Sequence, residues 1–350
     1  MNRKKIILGI VALLVVVGLW FTWRVMGSGT RFSQKTKTLY IPEGKATKQY
    51  VMQVLKDSGW LKSNGLFNWV AGKTGCWGRL KPGRYEIKKG TSVWALAKKL
   101  RNNAQDPVNL VIIKLRTKEE VAKKLGNSFA CGYDAVYAAL NNNELLKQLG
   151  SDTTTYLVNI IPNTYAILWT TPADKLLARL FDESKKFWTE ERKQKAAKQG
   201  YTPAEIYNIA ALVEEETNAE ADKGKIARVY MNRLQKNMKL EADPTIKFAI
   251  KDFALTRILN KHKDAAAASP YSTYAHTGLP PGPICTPSVK TIDAVLNAAP
   301  ADYIFFVAQP NFSGLSNFAV DYAEHQQYAA QYHQFLDSLF LARKNKNAAP

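Results

Sequence analysis

Residues 202–217 read TPAEIYNIAALVEEET, and this stretch predicts the helix around which the rest of the chain is arranged. Thr202 and Glu205 form a capping-box pattern, in which each side chain satisfies a backbone amide at the start of a helix. Pro203 occupies the first helical position, where its fixed φ angle is favourable. Apolar residues then recur at helical spacing as far as a run of glutamates. The stretch therefore predicts a helix with one buried face and carboxyl groups at its C-terminal end.

The glutamates at the end of this helix face different directions. At about 100° per residue, Glu216 lies roughly 20° from Ile209 and on the same side as Leu212, whereas Glu215 points away from the apolar face. Glu214 lies roughly 160° from Glu216 and is expected to be a structural partner instead of a second catalyst. Burial beside apolar groups raises the pKa of a carboxyl group toward the range that a general acid needs at neutral pH. Glu216 is therefore the candidate acid, and a solvated, glutamate-rich helix end is the alternative.

The N-terminus predicts a membrane anchor. Arg3, Lys4 and Lys5 precede an apolar run, residues 6–23, that is about long enough to span a bilayer and has aromatic residues at its far end. Because no A-x-A-like cleavage site follows, we expect an uncleaved single-pass anchor in the cytoplasmic membrane, with its N-terminus inside; a cleaved signal peptide is the alternative. Residues 27–38 are polar and begin with Gly-Ser-Gly, which is typical of a short tether. The rest of the chain would lie in the periplasm or otherwise outside the membrane.

Composition limits the classes of function. The chain has 350 residues and a formal net charge of +20, enough length for two soluble domains besides an anchor. The positive charge is compatible with nucleic acid, anionic lipid headgroups or an acidic wall polymer as neighbours, and the predicted anchor argues against nucleic acid. The cysteines, at positions 76, 131 and 285, and the histidines lack the spacing of a zinc site. We therefore expect neither a metal nor a cofactor.

Strand and helix patterns alternate from Leu39 onward. Residues 85–97 read YEIKKGTSVWALA and resemble a LysM module, a small unit that binds cell-wall glycan; a domain of the same shape that serves only packing is the alternative. Longer helices are expected over residues 133–149 and 172–200. The predicted fold class is α+β: an N-terminal transmembrane helix, a small LysM-like α/β domain, and a mixed α+β catalytic domain that carries the active-site helix. The expected boundaries are 1–35 for the cytoplasmic tail, anchor and tether, 36–105 for the LysM-like domain, and 106–345 for the catalytic domain.

A series of short motifs follows in a defined order. They are Pro162–Tyr165, Val213–Thr217, Asn232–Leu234, Asp243–Thr245, Tyr271–Tyr274, Gly278–Ile284 and Glu324–His325. In this order and rough spacing they resemble the endolytic murein transglycosylase family, also called the YceG-like family. The resemblance spans nearly the whole chain, because the N-terminal anchor and the LysM-like region also fit.

The resemblance implies a reaction and the residues that carry it. Members of that family cleave peptidoglycan strands internally, between N-acetylmuramic acid and N-acetylglucosamine, and leave a 1,6-anhydromuramoyl end. The catalytic residue of the family is the second glutamate of V-E-x-E-T, which falls on Glu216. One carboxyl group can serve as acid and then as base, because the sugar's own 6-hydroxyl is the nucleophile, so the paired carboxylates of ordinary glycosidases are not required. The expected partners are peptidoglycan strands, the cytoplasmic membrane and, by family analogy, proteins of cell-wall synthesis.

Five further residues are expected to bind substrate or support the site: Asn232, Asp243, Tyr271, Thr273 and Tyr274. Asp243 would be the second carboxylate if one exists, and its alternative role is to organise the Asp-Pro turn. The alternative role for the two tyrosines is that of ordinary core residues.

The sequence departs from the family pattern at three positions. Glu241 stands where a glutamine is usual, Ser272 where an asparagine is usual, and Ser316 where a histidine is usual. These departures affect the expected sugar contacts and leave the acid/base in place. Two other functions therefore stay open: a non-catalytic glycan-binding scaffold of the envelope, and a peptidoglycan hydrolase that uses Glu216 with Asp243.

Overall fold

The computed structural model describes residues 3–348 and shows a mixed α+β protein. Within these residues, the strands form three separate two-stranded sheets, and all other regular structure is helical. The chain divides into two compact units: the first runs from the N-terminus to Leu110 and includes Gly126–Gly132 and Tyr165–Pro172, and the second holds the remainder. The predicted α+β class and the apolar N-terminal helix are confirmed. The LysM-like character of residues 36–105 and the domain boundaries stay predictions.

The first unit contains a two-stranded antiparallel sheet with helices between and after its strands. Its elements are α1 (Arg3–Met26), β1 (Thr36–Ile41), α2 (Lys48–Asp57), α3 (Asn64–Lys73), a short 3-10 helix (Trp77–Arg79), β2 (Gly83–Lys88) and α4 (Val93–Arg101). Leu39 of β1 lies opposite Tyr85 of β2, and both side chains are fully buried. The sheet and the apolar faces of its helices therefore form one core.

Helix α1 is the one helix within residues 3–348 that is long and apolar enough to cross a membrane, and Val25 is its one buried residue. The backbone that follows α1 is held against the first unit, unlike a free tether. Gly29 donates to Thr91 O at 3.1 Å, and Lys62 N donates to Gly29 O at 2.8 Å. A glycine is required at position 29 because a Cβ there would lie 2.9 Å from the Val93 backbone nitrogen.

The second unit is mainly helical. A further two-stranded sheet consists of β3 (Val108–Val111) and β4 (Thr164–Ile167), and most of its residues belong to the first unit. The remaining elements are α5 (Lys118–Gly126), α6 (Gly132–Asn141), α7 (Asn143–Gln148), a 3-10 helix (Tyr156–Asn159), α8 (Ala173–Phe187), α9 (Glu190–Lys198), α10 (Pro203–Glu216), α11 (Glu220–Gln235), α12 (Asp243–Ile250), α13 (Asn260–Ala266), α14 (Val289–Leu296), β5 (Phe305–Ala308), β6 (Ser316–Ala319) and α15 (Tyr322–Ala348). Every residue of α10 from Ile206 to Val213 is buried. Helix α10 is therefore the centre of this unit, packed against α11, α12 and α14.

Two expected helices are each divided in the structure. The helix predicted over residues 172–200 consists of α8 and α9, because the Thr189 side chain accepts from Arg192 N and starts a new helix. The helix predicted over residues 133–149 consists of α6 and α7, because Asn142 caps α7 through Leu145 N at 3.1 Å. Both interruptions occur at residues whose side chains compete with the helical backbone for hydrogen bonds.

Candidate active site

Helix α10 begins as its sequence predicts. Glu205 N donates to Thr202 Oγ1 at 3.3 Å, and Thr202 N donates to Glu205 Oε2 at 2.7 Å, so the capping box is confirmed. The eight successive residues from Ile206 to Val213 are all buried, so this part of the helix is enclosed on every side, whereas the sequence predicts a single buried face. Its last turn then carries the glutamates out of the core in three directions.

Glu214 and Glu215 hold α10 to its neighbours. Glu214 accepts a hydrogen bond from Ser288 Oγ at 3.0 Å and another from Thr291 Oγ1, and both donors belong to the start of α14. Glu215 accepts from Arg116 twice, Nε to Oε1 at 3.1 Å and Nη2 to Oε2 at 3.0 Å. Both carboxylates therefore have structural partners, which agrees with the role expected for Glu214.

Glu216 lines a cavity of about 340 Å³. The ionisable groups along this cavity are Glu216, Tyr230, Arg233, Asp243, Tyr274, Tyr322 and His325, with Glu241 at its exposed rim. Within residues 3–348, Glu216 is the one glutamate of the run without a cation at ion-pair distance. The structure therefore gives Glu216 a site that the two preceding glutamates do not share.

The surroundings of Glu216 set its protonation. Burial is the main cause that raises the pKa of its carboxyl group, to about 7, and the negative charge of Asp243 raises it further. A hydrogen bond from Tyr230 Oη to Glu216 Oε2, at 3.2 Å, and the charge of Lys247 act in the opposite direction. The carboxyl group therefore populates both its protonated and its ionised form near neutral pH, as a general acid/base requires.

Asp243 and Tyr274 form a pair in the same cavity. Asp243 is the first residue of α12, and Tyr274 Oη donates to its Oδ1 at 2.7 Å. Burial and this hydrogen bond raise the pKa of Tyr274 well above its usual value, so the phenol stays neutral. The structure thus brings together Glu216, Asp243 and Tyr274.

Thr273 and Asn232 lie next to the site but do not line the cavity. Thr273 Oγ1 accepts from Ala242 N at 3.0 Å and exchanges a hydrogen bond with Thr245 Oγ1 at 2.9 Å. Asn232 Nδ2 donates to the backbone oxygens of Ala301, at 2.7 Å, and Tyr303, at 2.9 Å. Both side chains therefore fix backbone around the cavity, and direct contact of either with substrate stays a prediction.

Tyr271 lies in a different cavity, also of about 340 Å³. Its ring centroid is 4.7 Å from that of Phe248, near the end of α12, and both rings line this second cavity. Asp243, at the start of the same helix, lines the first cavity. The predicted site residues are therefore divided between cavities at opposite ends of α12.

The cavity residues that were not predicted as site residues include Tyr230, Arg233 and His325. Arg233 and His325 belong to the motifs Asn232–Leu234 and Glu324–His325. Their place in these motifs is the sequence signal that could have identified them as site residues. Tyr230 has helical spacing that is equally typical of a core residue, and the residue is in fact almost fully buried. Burial and the nearby Arg233 charge lower the pKa of His325, whose ring stacks on Phe305 at 4.9 Å.

The departures from the family pattern have separate locations. Glu241 lies at the rim of the Glu216 cavity, with its Oε2 3.0 Å from Arg233 Nη1. Its φ angle of 54° places it in the left-handed region, which is uncommon for a residue with a side chain. Ser272 is buried, and Ser316 N donates to Asp222 Oδ2 at 2.6 Å; neither lines that cavity. The carboxylate at 241 is therefore the departure that changes the charge of the cavity.

Comparisons with known proteins identify the family that the chain resembles. A profile of the YceG-like family matches residues 39–331. A Bacillus subtilis (strain 168) protein named endolytic murein transglycosylase is 27% identical over 297 residues, which cover 80% of each chain. A Streptococcus pneumoniae (strain R6) protein of the same name is 26% identical over 333 residues, which cover 86% of this chain and 59% of that relative. The crystal structure of a yceG-like protein from Listeria monocytogenes, at 23% identity and a TM-score of 0.54, covers 84% of this chain and 99% of that one and shares its fold.

Proposed function

This chain belongs to the YceG-like family, and we propose that it is a lytic transglycosylase that cleaves peptidoglycan strands internally. The bond cleaved would join N-acetylmuramic acid to N-acetylglucosamine, and the product would carry a 1,6-anhydromuramoyl end. The observation that carries the proposal is Glu216, a carboxyl group with a pKa of about 7 on the wall of a polar cavity. The names of the Bacillus and Streptococcus relatives support the same reaction.

The first step needs an acid. Protonated Glu216 donates its proton to the glycosidic oxygen, the bond between that oxygen and the anomeric carbon breaks, and the leaving sugar departs as an alcohol. A carboxyl group with an ordinary pKa would be almost fully ionised at pH 7 and would rarely hold this proton. Burial of Glu216 therefore supplies the form that the first step consumes.

The second step needs a base, and the same group provides it. Ionised Glu216 accepts the proton of the 6-hydroxyl as that oxygen bonds to the anomeric carbon, which closes the anhydro ring. No water is added, and Glu216 returns to its protonated form. One titrating carboxyl group thus completes the cycle.

Asp243 and Tyr274 would assist Glu216 without acting as the acid or the base. The charge of Asp243 raises the pKa of Glu216, and its Oδ1 holds the hydroxyl of Tyr274 at 2.7 Å. Tyr274, neutral and in the cavity, would offer a hydrogen bond to a sugar oxygen through a small rotation of that hydroxyl. Tyr271, beside the second cavity, would contact the strand farther from the scissile bond.

The proposed location rests on helix α1. An uncleaved α1 would anchor the chain in the cytoplasmic membrane with the N-terminus inside and both units on the side of the cell wall. The LysM-like region, residues 36–105, would bind glycan, and residues 106–345 would form the catalytic domain. Proteins of cell-wall synthesis are the proposed partners by family analogy.

A hydrolase is the second candidate, because Asp243 lines the same cavity as Glu216. Mass spectrometry of the soluble products released from purified sacculi separates the two reactions. We expect anhydro-ended fragments of several lengths, as internal cleavage produces. Reducing-ended products would establish the hydrolase, and sacculus binding without any soluble product would establish a scaffold.

A further inference from the structure

Two adjoining cavities lie at the C-terminal end of α1. One has a volume of about 200 Å³ and the other of about 630 Å³, and Arg24, Ser28 and Lys62 line both. All of their lining residues belong to the first unit. They are distant in sequence from Glu216, and the proposed reaction does not use them.

These cavities are strongly cationic. Arg24, Arg31, Lys62 and Lys89 line them, and these four residues are named here the basic face. All four side chains are exposed. Within residues 3–348, no acidic residue lines either cavity and no member of the basic face forms an ion pair, whereas other cations of the same unit, such as Lys99 and Arg84, do. A cluster of exposed, uncompensated cations attracts anions.

The backbone fixes the basic face at the end of α1. Gly27 N donates to Trp23 O at 2.8 Å, and Gly90 N donates to Thr30 Oγ1 at 2.8 Å, so the chain passes from the helix into the unit without a free linker. The Phe21 ring of α1 also meets the Trp69 ring of α3 edge-on at 5.4 Å. The unit therefore begins where the apolar helix ends.

This end of α1 has the composition of a membrane interface. Trp20 and Trp23 are 58% and 69% exposed, and the Arg24 guanidinium lies 5.7 Å from the centre of the Trp20 ring. Exposed tryptophans with an adjacent arginine are typical of the level at which lipid headgroups lie. If α1 spans the bilayer, the basic face lies at that level.

We propose that the basic face binds the phosphate groups of anionic phospholipids and so holds the first unit on the membrane surface. The proposal rests on the proposed membrane anchor and is independent of the chemistry at Glu216. Arginine and lysine form charge-assisted hydrogen bonds with phosphate oxygens, and two cavities that share Arg24 and Lys62 have room for headgroups side by side. Attraction of this kind weakens as salt increases.

The test uses the full chain in nanodiscs made of equal parts phosphatidylglycerol and phosphatidylcholine. Native mass spectrometry of the released protein measures the ratio of the two lipids that stay bound. The test variant combines Arg31→Gln, Lys62→Gln and Lys89→Gln, and a matched control combines Lys48→Gln, Lys56→Gln and Lys98→Gln, which removes as much charge from exposed positions outside the cavities.

We expect the wild-type chain and the control to retain phosphatidylglycerol preferentially. The preference should fall by up to about fivefold for each cation removed in the test variant. Equal retention of the two lipids by the wild type, or an equal loss of preference in both variants, would overturn the proposal. A chain that does not enter the nanodisc would contradict the anchor and this proposal together, whereas the products that the wild-type chain releases from sacculi report on the chemistry at Glu216 alone.

Discussion

At the scale of single residues, neighbouring side chains shift the pKa of Glu216 in opposite directions. The negative charge of Asp243 raises the pKa of the Glu216 carboxyl group, and the hydrogen bond from Tyr230 lowers it. Neither effect is as large as burial, which is the main cause of the raised value. The balance keeps the pKa near neutrality, and each contribution can be removed separately.

The pH dependence of cleavage should follow this pKa. Because the first step consumes the protonated form of Glu216, we expect kcat/KM to fall about tenfold per pH unit above a pH of about 7. The initial rate of release of soluble fragments from sacculi between pH 5 and 9 measures this dependence. A rate that stays constant from pH 6 to pH 9 would exclude Glu216 as the acid.

Two substitutions should move that decline in opposite directions. Tyr230→Phe removes a donor that stabilises the carboxylate, so the decline should begin at a higher pH. Asp243→Asn removes a negative charge but keeps an acceptor for Tyr274, so the decline should begin at a lower pH. The rate of fragment release over the same pH range gives the pH of the decline for each variant. A shift in the same direction for both variants would contradict the opposite effects of Tyr230 and Asp243 on the pKa of Glu216.

The free energy of unfolding should also depend on pH through the pKa of Glu216. The pKa of Glu216 is raised from 4.5 to about 7, so between these values the folded state holds more protons than the unfolded state and the free energy of unfolding decreases as pH rises. Glu216→Gln abolishes this loss, and the variant should be more stable than wild type at pH 8 by up to about 3 kcal/mol and similar to it at pH 4. Urea unfolding at both pH values measures the difference.

An exposed glutamate provides the control for that comparison. Glu190 on α9 has a side chain that is 81% exposed. Glu190→Gln removes only an exposed pair with Lys193, so it should change the free energy of unfolding by no more than about 0.5 kcal/mol at either pH. A stabilisation of equal size in this variant would mean that general charge reduction, not burial of Glu216, is the cause.

The sequence predicts the site as far as its geometry is local. Glu216 could be separated from Glu215 because the angle between successive residues of a helix is fixed. The approach of Tyr230 and Arg233 to Glu216 depends on how α11 packs against α10, which helical spacing does not determine. For the same reason, the sequence could not show that Tyr271 and Tyr274, three residues apart, line different cavities.

At the scale of secondary structure elements, α10 is held at both ends. The capping box closes its start, and Glu214 joins its end to α14. The sequence predicts the first of these features and not the second, because Ser288 and Thr291 are 74 and 77 residues away from Glu214 along the chain. The divided helices have a related explanation: capping by Asn142 and Thr189 competes with helical periodicity and prevails locally.

Loss of the N-cap of α10 should lower the stability of the protein without changing the pH dependence of cleavage. Thr202→Ala removes the side-chain acceptor of Glu205 N, so we expect the free energy of unfolding to fall by about 1 kcal/mol. The pH at which the cleavage rate declines should not change, since Thr202 is remote from the cavity lining. Urea unfolding together with the rate profile checks both statements, and a displaced profile would show that the start of α10 influences Glu216.

At the scale of the whole molecule, the proposed location of the protein depends on whether α1 is retained in the mature chain. A single apolar helix near the N-terminus is compatible with an anchor or with a signal sequence, and the two have different consequences for the mature chain. We expect the expressed protein to stay in the membrane fraction after alkaline washing and to retain its N-terminal residues in intact mass spectra. A soluble chain that lacks α1 would contradict the anchor and leave the proposed reaction untouched.

In the proposed reaction, Glu216 alone provides both the acid and the base. The most direct measurement is mass spectrometry of the products released from purified sacculi by the wild type, by Glu216→Gln and by Glu190→Gln, with circular dichroism to verify that each is folded. We expect anhydro-ended fragments from the wild type and Glu190→Gln, and none from a folded Glu216→Gln. Anhydro-ended fragments from Glu216→Gln in wild-type yield would contradict this role of Glu216.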